Sequence, residues 1–316
     1  MNQLLMSRRI NSQSRGDDVS GPENISTERS GQWVIYLTTD NVVKVVDIRN
    51  GAFLAQMPTG LQSKGICWNR EADKFIVGLF FEGEWLINEY DYPAMTFSRQ
   101  WNLATIGGVT SLNSVRYTVN NRYILVGHST GGFILNTQTG LITPTEVAIT
   151  GDVKQYECLS SMYALAARTN TVAQLTQINT GRNMPYIGDM TWDELSFLQW
   201  NWEVDEVTPY PHFIMGLRQG TQWKLAPFRI GSFDFYDSKQ WDILVDQKPL
   251  AIAFSETDNS SATTKESIYG RAFVVFFPDR YRVYDLLTGE FKAEFTTTQQ
   301  SPITCGYWKE AQGLYL

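Results

Sequence analysis

The sequence is short of the residues on which most enzyme signatures depend. Its 316 residues include two histidines and three cysteines, and Cys67, Cys158 and Cys305 share no CxxC or other metal-ligand spacing. That excludes an ordinary zinc site, and each cysteine lies in a strand-like apolar run where a free thiol packs as a small hydrophobe. The odd count points to a reducing compartment rather than a disulfide framework. There is no Walker loop, no G-x-G-x-x-G and no H-E-x-x-H. The reading therefore calls for no cofactor, no metal and no catalytic residue. Charge is also scarce, at 19% of residues with a formal net of −7, and basic residues form no run longer than Arg8–Arg9. No basic face is available to phosphate backbones, so nucleic acid is not expected as a partner. Apolar runs such as Phe75–Phe81 and Phe273–Phe277 are far below the ~18 residues that span a bilayer, so membrane insertion is not expected. Met1–Ile10 places its apolar residues ahead of Arg8 and Arg9, the reverse of a secretory signal. The expected location is the cytoplasm, or a particle such as a virion assembled there.

What the chain has in quantity is β-forming side chains. Hydrophobic residues make up 43% and aromatics 13%, alongside 24 glycines, a composition suited to pleated, half-buried surfaces. From Trp33 onward a phrase recurs in which a β-run ends in a polar turn, often closed by Gly. It reads VVDIRNG (45–51), NEYDYPA (88–94), ILNTQTG (134–140), LTQINTG (175–181), FYDSKQW (235–241) and VYDLLTG (283–289). The last positions are 43, 46, 41, 60 and 48 residues apart. Asn-Gly and Thr-Gly supply the positive φ that tight hairpins need. Two further β-runs precede most of the phrases, and four short strands per repeat make one propeller blade. The segments before Gly51 and after Gly289 together amount to one more repeat. The expected fold is thus all-β: a single β-propeller of six four-stranded blades over residues 32–316. Pairing of the N- and C-terminal strands closes the ring. Seven blades are the alternative if the 60-residue interval hides another. Residues 1–31 carry no lysine and too few apolar residues for a core, and read as an extended arm.

The phrases VYDLLTGEFKAEF and VVDIRNGAFLAQM resemble the Trp-Asp repeat and related propeller families, with Tyr284-Asp285 and Val46-Asp47 at the dipeptide position. The Gly-His pair that often opens such repeats is missing from that position. The resemblance covers residues 32–316 at the level of fold and implies a protein-interaction platform rather than an enzyme.

Gly127-His128-Ser129-Thr130-Gly131 matches G-x-S-x-G literally. A nucleophile elbow needs a helix directly afterwards, whereas the residues that follow read as strand and hairpin. Residues 183–217 lack Lys and Arg but interleave Asp193, Glu194, Glu203, Asp205 and Glu206 with Trp192, Trp200 and Trp202. An insertion of this kind, projecting from a rigid scaffold, suits a basic partner, with Trp192 and Trp202 as anchors and Asp193, Glu203, Asp205 and Glu206 as charges. Leu4, Leu5, Met6 and Ile10 would anchor the arm. The functional expectation is a non-enzymatic assembly component of a larger complex, binding protein partners through these two elements. A glycan-binding propeller and a hydrolase with channel carboxylates are the alternatives.

Overall fold

The computed structural model describes residues 32–310 apart from 48–51, 70–72, 106–108, 119, 144–148, 159–162, 169–171, 179–182, 185–191, 201–212, 231–234, 238–240, 255–271 and 297–302. The arm expected at residues 1–31 lies outside the described residues. The described strands assort into six antiparallel sheets. One contains β1 (Gln32–Thr38), β2 (Val42–Asp47), β3 (Ala52–Pro58) and, beside β1, the final strand β25 (Ile303–Glu310). The next runs β4 (Gln62–Trp68), β5 (Lys74–Phe81), β6 (Glu84–Asp91), β7 (Thr96–Asn102). The third is β8 (Leu112–Tyr117), β9 (Tyr123–His128), β10 (Gly131–Asn136), β11 (Ile149–Thr150). The fourth is β12 (Val153–Cys158), β13 (Tyr163–Arg168), β14 (Val172–Gln177), β15 (Asn183–Met184). The fifth is β16 (Glu194–Trp200), β17 (Phe213–Gln219), β18 (Gln222–Ile230), β19 (Phe235–Asp237), with β20 (Ile243–Val245) also on β18. The sixth is β21 (Ala251–Phe254), β22 (Ala272–Phe276), β23 (Arg280–Asp285), β24 (Phe291–Thr296).

The leading strands β25, β4, β8, β12, β16 and β21 pack on one another in that order, and β21 returns to β25. This is a β-propeller arrangement with the leading strands around the axis. The two ends of the described chain share a sheet, as the split repeat implies, with β1 and β25 in register from Gln32↔Glu310 to Thr38↔Ile303. Closure leaves no open end to the ring and so removes the exposed sheet face that a linear stack would present. Six hydrophobic clusters fill the wedges, one between each pair of neighbouring sheets. Period-2 alternation decides which wedge a side chain enters. Ile35 and Leu37 join the cluster of the second sheet, whereas Tyr36 between them joins the cluster of the sixth. Because both faces of the inner strands are covered, β5 and β22 read as continuous apolar runs.

Two sequence expectations need correction. The 60-residue interval contributes one described sheet, not two, so the seven-blade alternative finds no strands to support it among the described residues. The phrase at 235–241 is also out of phase. It contains β19, the fourth strand of its sheet, whereas the other five phrases straddle the end of a third strand. Where the phrase is in phase, its chemistry is visible. The Asp285 carboxylate accepts from the amides of Leu287 and Thr288, each at 2.9 Å, and Asn136 does the same for Gln138 and Thr139. Gly289 and Gly140 then close the turns at φ +70°. The dipeptide Asp is therefore a turn cap, and Asn serves equally well.

Candidate functional site at the channel mouth

Five of the six inner strands carry a one-residue bulge between their second and fourth residues. The registers skip Gly65 in β4, Asn113 in β8, Lys154 in β12, Ser196 in β16 and Thr304 in β25. In three of these sheets a glycine stands opposite or next to the bulge on the second strand: Gly78, Gly127 and Gly216. The reason is space. A Cβ on Gly78 would lie 2.4 Å from the Lys64 carbonyl oxygen, and one on Gly127 would lie 2.6 Å from Ser114 Oγ. Bulges of this kind re-aim side chains at sheet rims and next to sites. Here they sit near the starts of the inner strands, on the face that carries the crossovers between sheets.

The bulges turn polar side chains sideways onto the next inner strand. Asn113 Nδ2 donates to the Val153 carbonyl at 3.0 Å and to Asp152 Oδ1 at 2.8 Å. Lys64 Nζ donates to Asn113 Oδ1 at 3.3 Å, and Lys154 pairs with Asp152 at 2.8 Å. The Ser196 hydroxyl donates to the Pro249 carbonyl, just before β21. The inner edge of each sheet would otherwise present unpaired backbone groups to the channel, at a cost comparable to a lost hydrogen bond each. Side chains of the neighbouring strand satisfy them; Ser114 Oγ likewise accepts the Tyr156 amide at 3.1 Å.

Deeper along the axis lies a crossbar. Arg116 on β8 is 6% exposed; its Nη1 donates to the Ile66 carbonyl of β4 at 2.9 Å, and its Nη2 approaches Gln199 Oε1 of β16 at 3.4 Å. Since β12 lies between β8 and β16 in the ring, a bond from one to the other must pass through the ring's interior. Gln199 is 3% exposed, and Gln155 on β12 is buried too. The arrangement is a polar-rimmed mouth over a floor that includes a guanidinium.

The residues singled out from sequence do not form this site. Trp192 is 6% exposed and packs with Leu195, Phe213 and Met215 in the wedge between the fourth and fifth sheets. It is a core residue and cannot anchor a partner. Asp193 is exposed, but its Oδ2 accepts the Gly220 amide at 2.6 Å and so braces the β17–β18 hairpin. Glu194 is held below its ordinary pKa, foremost by a hydrogen bond from Lys248 (2.6 Å) and also by Arg218. Residues 194–200 form an inner strand, so the acidic-aromatic stretch is in part sheet body and not a projecting insertion. Trp202, Glu203, Asp205 and Glu206 lie outside the described residues, as do Leu4, Leu5, Met6 and Ile10. The bulges had a sequence signal that went unread: a small residue inside an apolar second strand, as in IVGL, LVGH and IMGL.

Two clusters that resemble catalytic groups fail on chemistry. Ser129 and Thr130 form the two-residue turn from β9 to β10, with no helix behind them. Ser129 Oγ pairs with Thr110 Oγ1 at 3.1 Å, and the ring of His128 pairs with Thr130 Oγ1 at 3.1 Å. Lys74 Nζ donates to Ser98 Oγ at 3.0 Å, the geometry of a serine–lysine dyad. A lysine base must be neutral, yet Asp91 and then Glu89 hold Lys74 charged against partial burial.

No family model matches the chain, and no curated protein matches it. Among solved structures it is similar to hydrazine synthase of Kuenenia stuttgartiensis, with TM-score 0.48 and 10% identity over 83% of this chain and 86% of that one. It is also similar to the dihydro-heme d1 dehydrogenase NirN in complex with DHE, with TM-score 0.47 and 11% identity over 90% of this chain and 67% of that one. Likeness at this level concerns the chain path alone, and the Trp-Asp-repeat identity gains nothing from it. The expectation of a non-enzymatic assembly component does not stand. The two similar structures are named as a synthase and a dehydrogenase, and the anchor Trp192 expected on this chain is buried.

Proposed function

We propose that the chain is a six-bladed, small-ligand-binding propeller whose ligand seat is the crossover-side mouth of the axial channel. The six sheets and the six wedges of core between them support that blade count. The observation that carries the ligand reading is the recurrence of a bulge between the second and fourth residues of five inner strands. Bulges re-aim the side chains that carry them, and at two of these positions Asn113 and Ser196 reach the backbone of the neighbouring inner segment. Lys64 and Lys154 flank Asp152 on one arc of this mouth, with the buried Arg116 beneath them. Cationic groups set in a cleft with low-dielectric walls favour a small anion, carboxylate or phosphate, even on a chain of net charge −7.

A calorimetric and thermal-shift screen of the whole chain against phosphate, sulfate, citrate and nucleoside monophosphates tests this. At least one should bind saturably, with affinity about tenfold weaker in the Lys64→Met/Lys154→Met variant. Absence of any saturable binder, or affinity indifferent to the two substitutions, would overturn the reading.

A further inference from the structure

Strand β13 ends in Arg168, which the register Val153↔Arg168 sets beside the start of inner strand β12, on the face of the crossovers. The crossover at that point is Gly151-Asp152, between β11 and β12. Gly151 has φ +88°, a conformation that few side chains adopt, and its amide donates to the Thr130 carbonyl at 3.1 Å. A Cβ on Gly151 would lie 3.4 Å from Arg168 Nε and 3.8 Å from its Cζ, so the guanidinium rests against this backbone. The next residue, Asp152, pairs with Lys154 at 2.8 Å. Consecutive residues of one crossover thus border a guanidinium and an ammonium.

Arg168 differs from the arginines of the neighbouring sheets. Arg218 reaches Glu194, and Arg282 reaches Glu294 and Asp246. Arg280 Nε lacks a hydrogen bond, but Asp246, Asp279 and Glu294 surround its guanidinium. Arg168 Nε is buried, and among the described residues it has neither a hydrogen-bond acceptor nor a carboxylate. A buried donor left alone forfeits its hydration, and a charged one forfeits most, so such a group calls for a partner.

We infer that Arg168 is an oxyanion-binding residue of the ligand seat proposed at the channel mouth. Its partner is a carboxylate or phosphate of the ligand, placed to accept the Nε–H and one Nη–H together. The inference rests on the mouth reading for the position of the seat, and on Arg168 for the chemistry of the ligand. Guanidinium geometry selects that class: Nε and Nη donate in parallel to two oxygens of one group, which an ammonium cannot do. Lys64 and Lys154 then supply charge, and Arg168 supplies orientation.

Calorimetry of the whole chain with inorganic phosphate and with citrate, one arm for each oxyanion, tests this beside thermal unfolding without ligand. Whichever anion binds should do so about tenfold more weakly in Arg168→Met. Arg168→Lys, which keeps the charge but loses the fork, should not restore the affinity. The ligand-free melting temperature of Arg168→Met should not fall, because the substitution removes an unpaired donor; an arginine with a purely structural role would give a fall and an unchanged affinity. That result would overturn the inference, as would full affinity in Arg168→Lys or binding of neither anion. A loss confined to Lys64→Met/Lys154→Met would overturn it while leaving the mouth reading in place. Binding indifferent to all three cations would overturn both.

Discussion

The first and the last strand of each sheet solve opposite problems, and in three of the six sheets the last is only two or three residues long against six or seven for the first. Inner strands lie against two neighbours and the channel, so their apolar side chains are buried. Their unpaired backbone edge is served by Asn113, Ser114, Arg116 and Ser196 from the strands beside them. Outer strands face water, and β24 alternates between exposed and half-buried positions, with Lys292 and Glu294 on its surface. Inner polar residues are thus obligatory partners in a low-dielectric space, whereas outer ones are paired ions in water. A buried polar group left alone forfeits its full hydration, whereas an exposed ion pair contributes little.

This contrast can be broken from the inside. Gly78→Ala places a methyl group against the Lys64 carbonyl at the bulge, where backbone must move, and should cost about 3 kcal/mol in denaturant unfolding. Arg116→Met keeps the volume but takes the guanidinium from the Ile66 carbonyl, with an expected loss of about 2 kcal/mol. An effect no larger than that of an outer-strand substitution would show that the crossbar is not a structural requirement of the ring. Tyr117→Phe removes the hydroxyl that donates to Glu89 and should cost about 1 kcal/mol. Burial, and then the Glu89 charge, push the Tyr117 phenol far above its usual range, so the unfolded chain gives up this proton first; the loss should be constant up to about pH 10 and shrink above it.

His128 offers a test by titration. Burial lowers its folded pKa below the ordinary 6.5, so the unfolded chain binds the proton more readily. Its contribution is complete above pH 6.5, falls as the pH drops below that value, and levels off beneath the folded pKa. His128→Asn should flatten that part of the stability–pH curve. The smallest effect belongs to the rim. Phe97→Ser, on an exposed outer strand, should change stability by no more than about 0.5 kcal/mol.

The repeat phrases were legible because turn chemistry is local. Asp285 and Asn136 cap their own turns two and three residues on, and Gly289 and Gly140 adopt a conformation that few other residues tolerate. The same locality misled at 235–241, where a similar string ends a fourth strand and the extra strand β20 shares β18. The candidate site was not legible. Asn113, Lys154 and Ser196 are ordinary polar residues in their own segments, and their relation is a shared place near the start of inner strands around an axis that no segment contains. Trp192 failed for the matching reason. Among acids and beside a proline-marked loop it reads as exposed, and only the packing of Leu195, Phe213 and Met215 around it makes it core.

By itself, then, the sequence determined the all-β character, the period of the repeat and the joining of the two ends in one sheet. These depend on alternation, on turn residues and on counting along the chain. The tertiary structure decided which polar residues face the axis and which glycines exist to admit a neighbouring backbone. Those properties belong to pairs of strands from different repeats, and become defined only when the ring is closed.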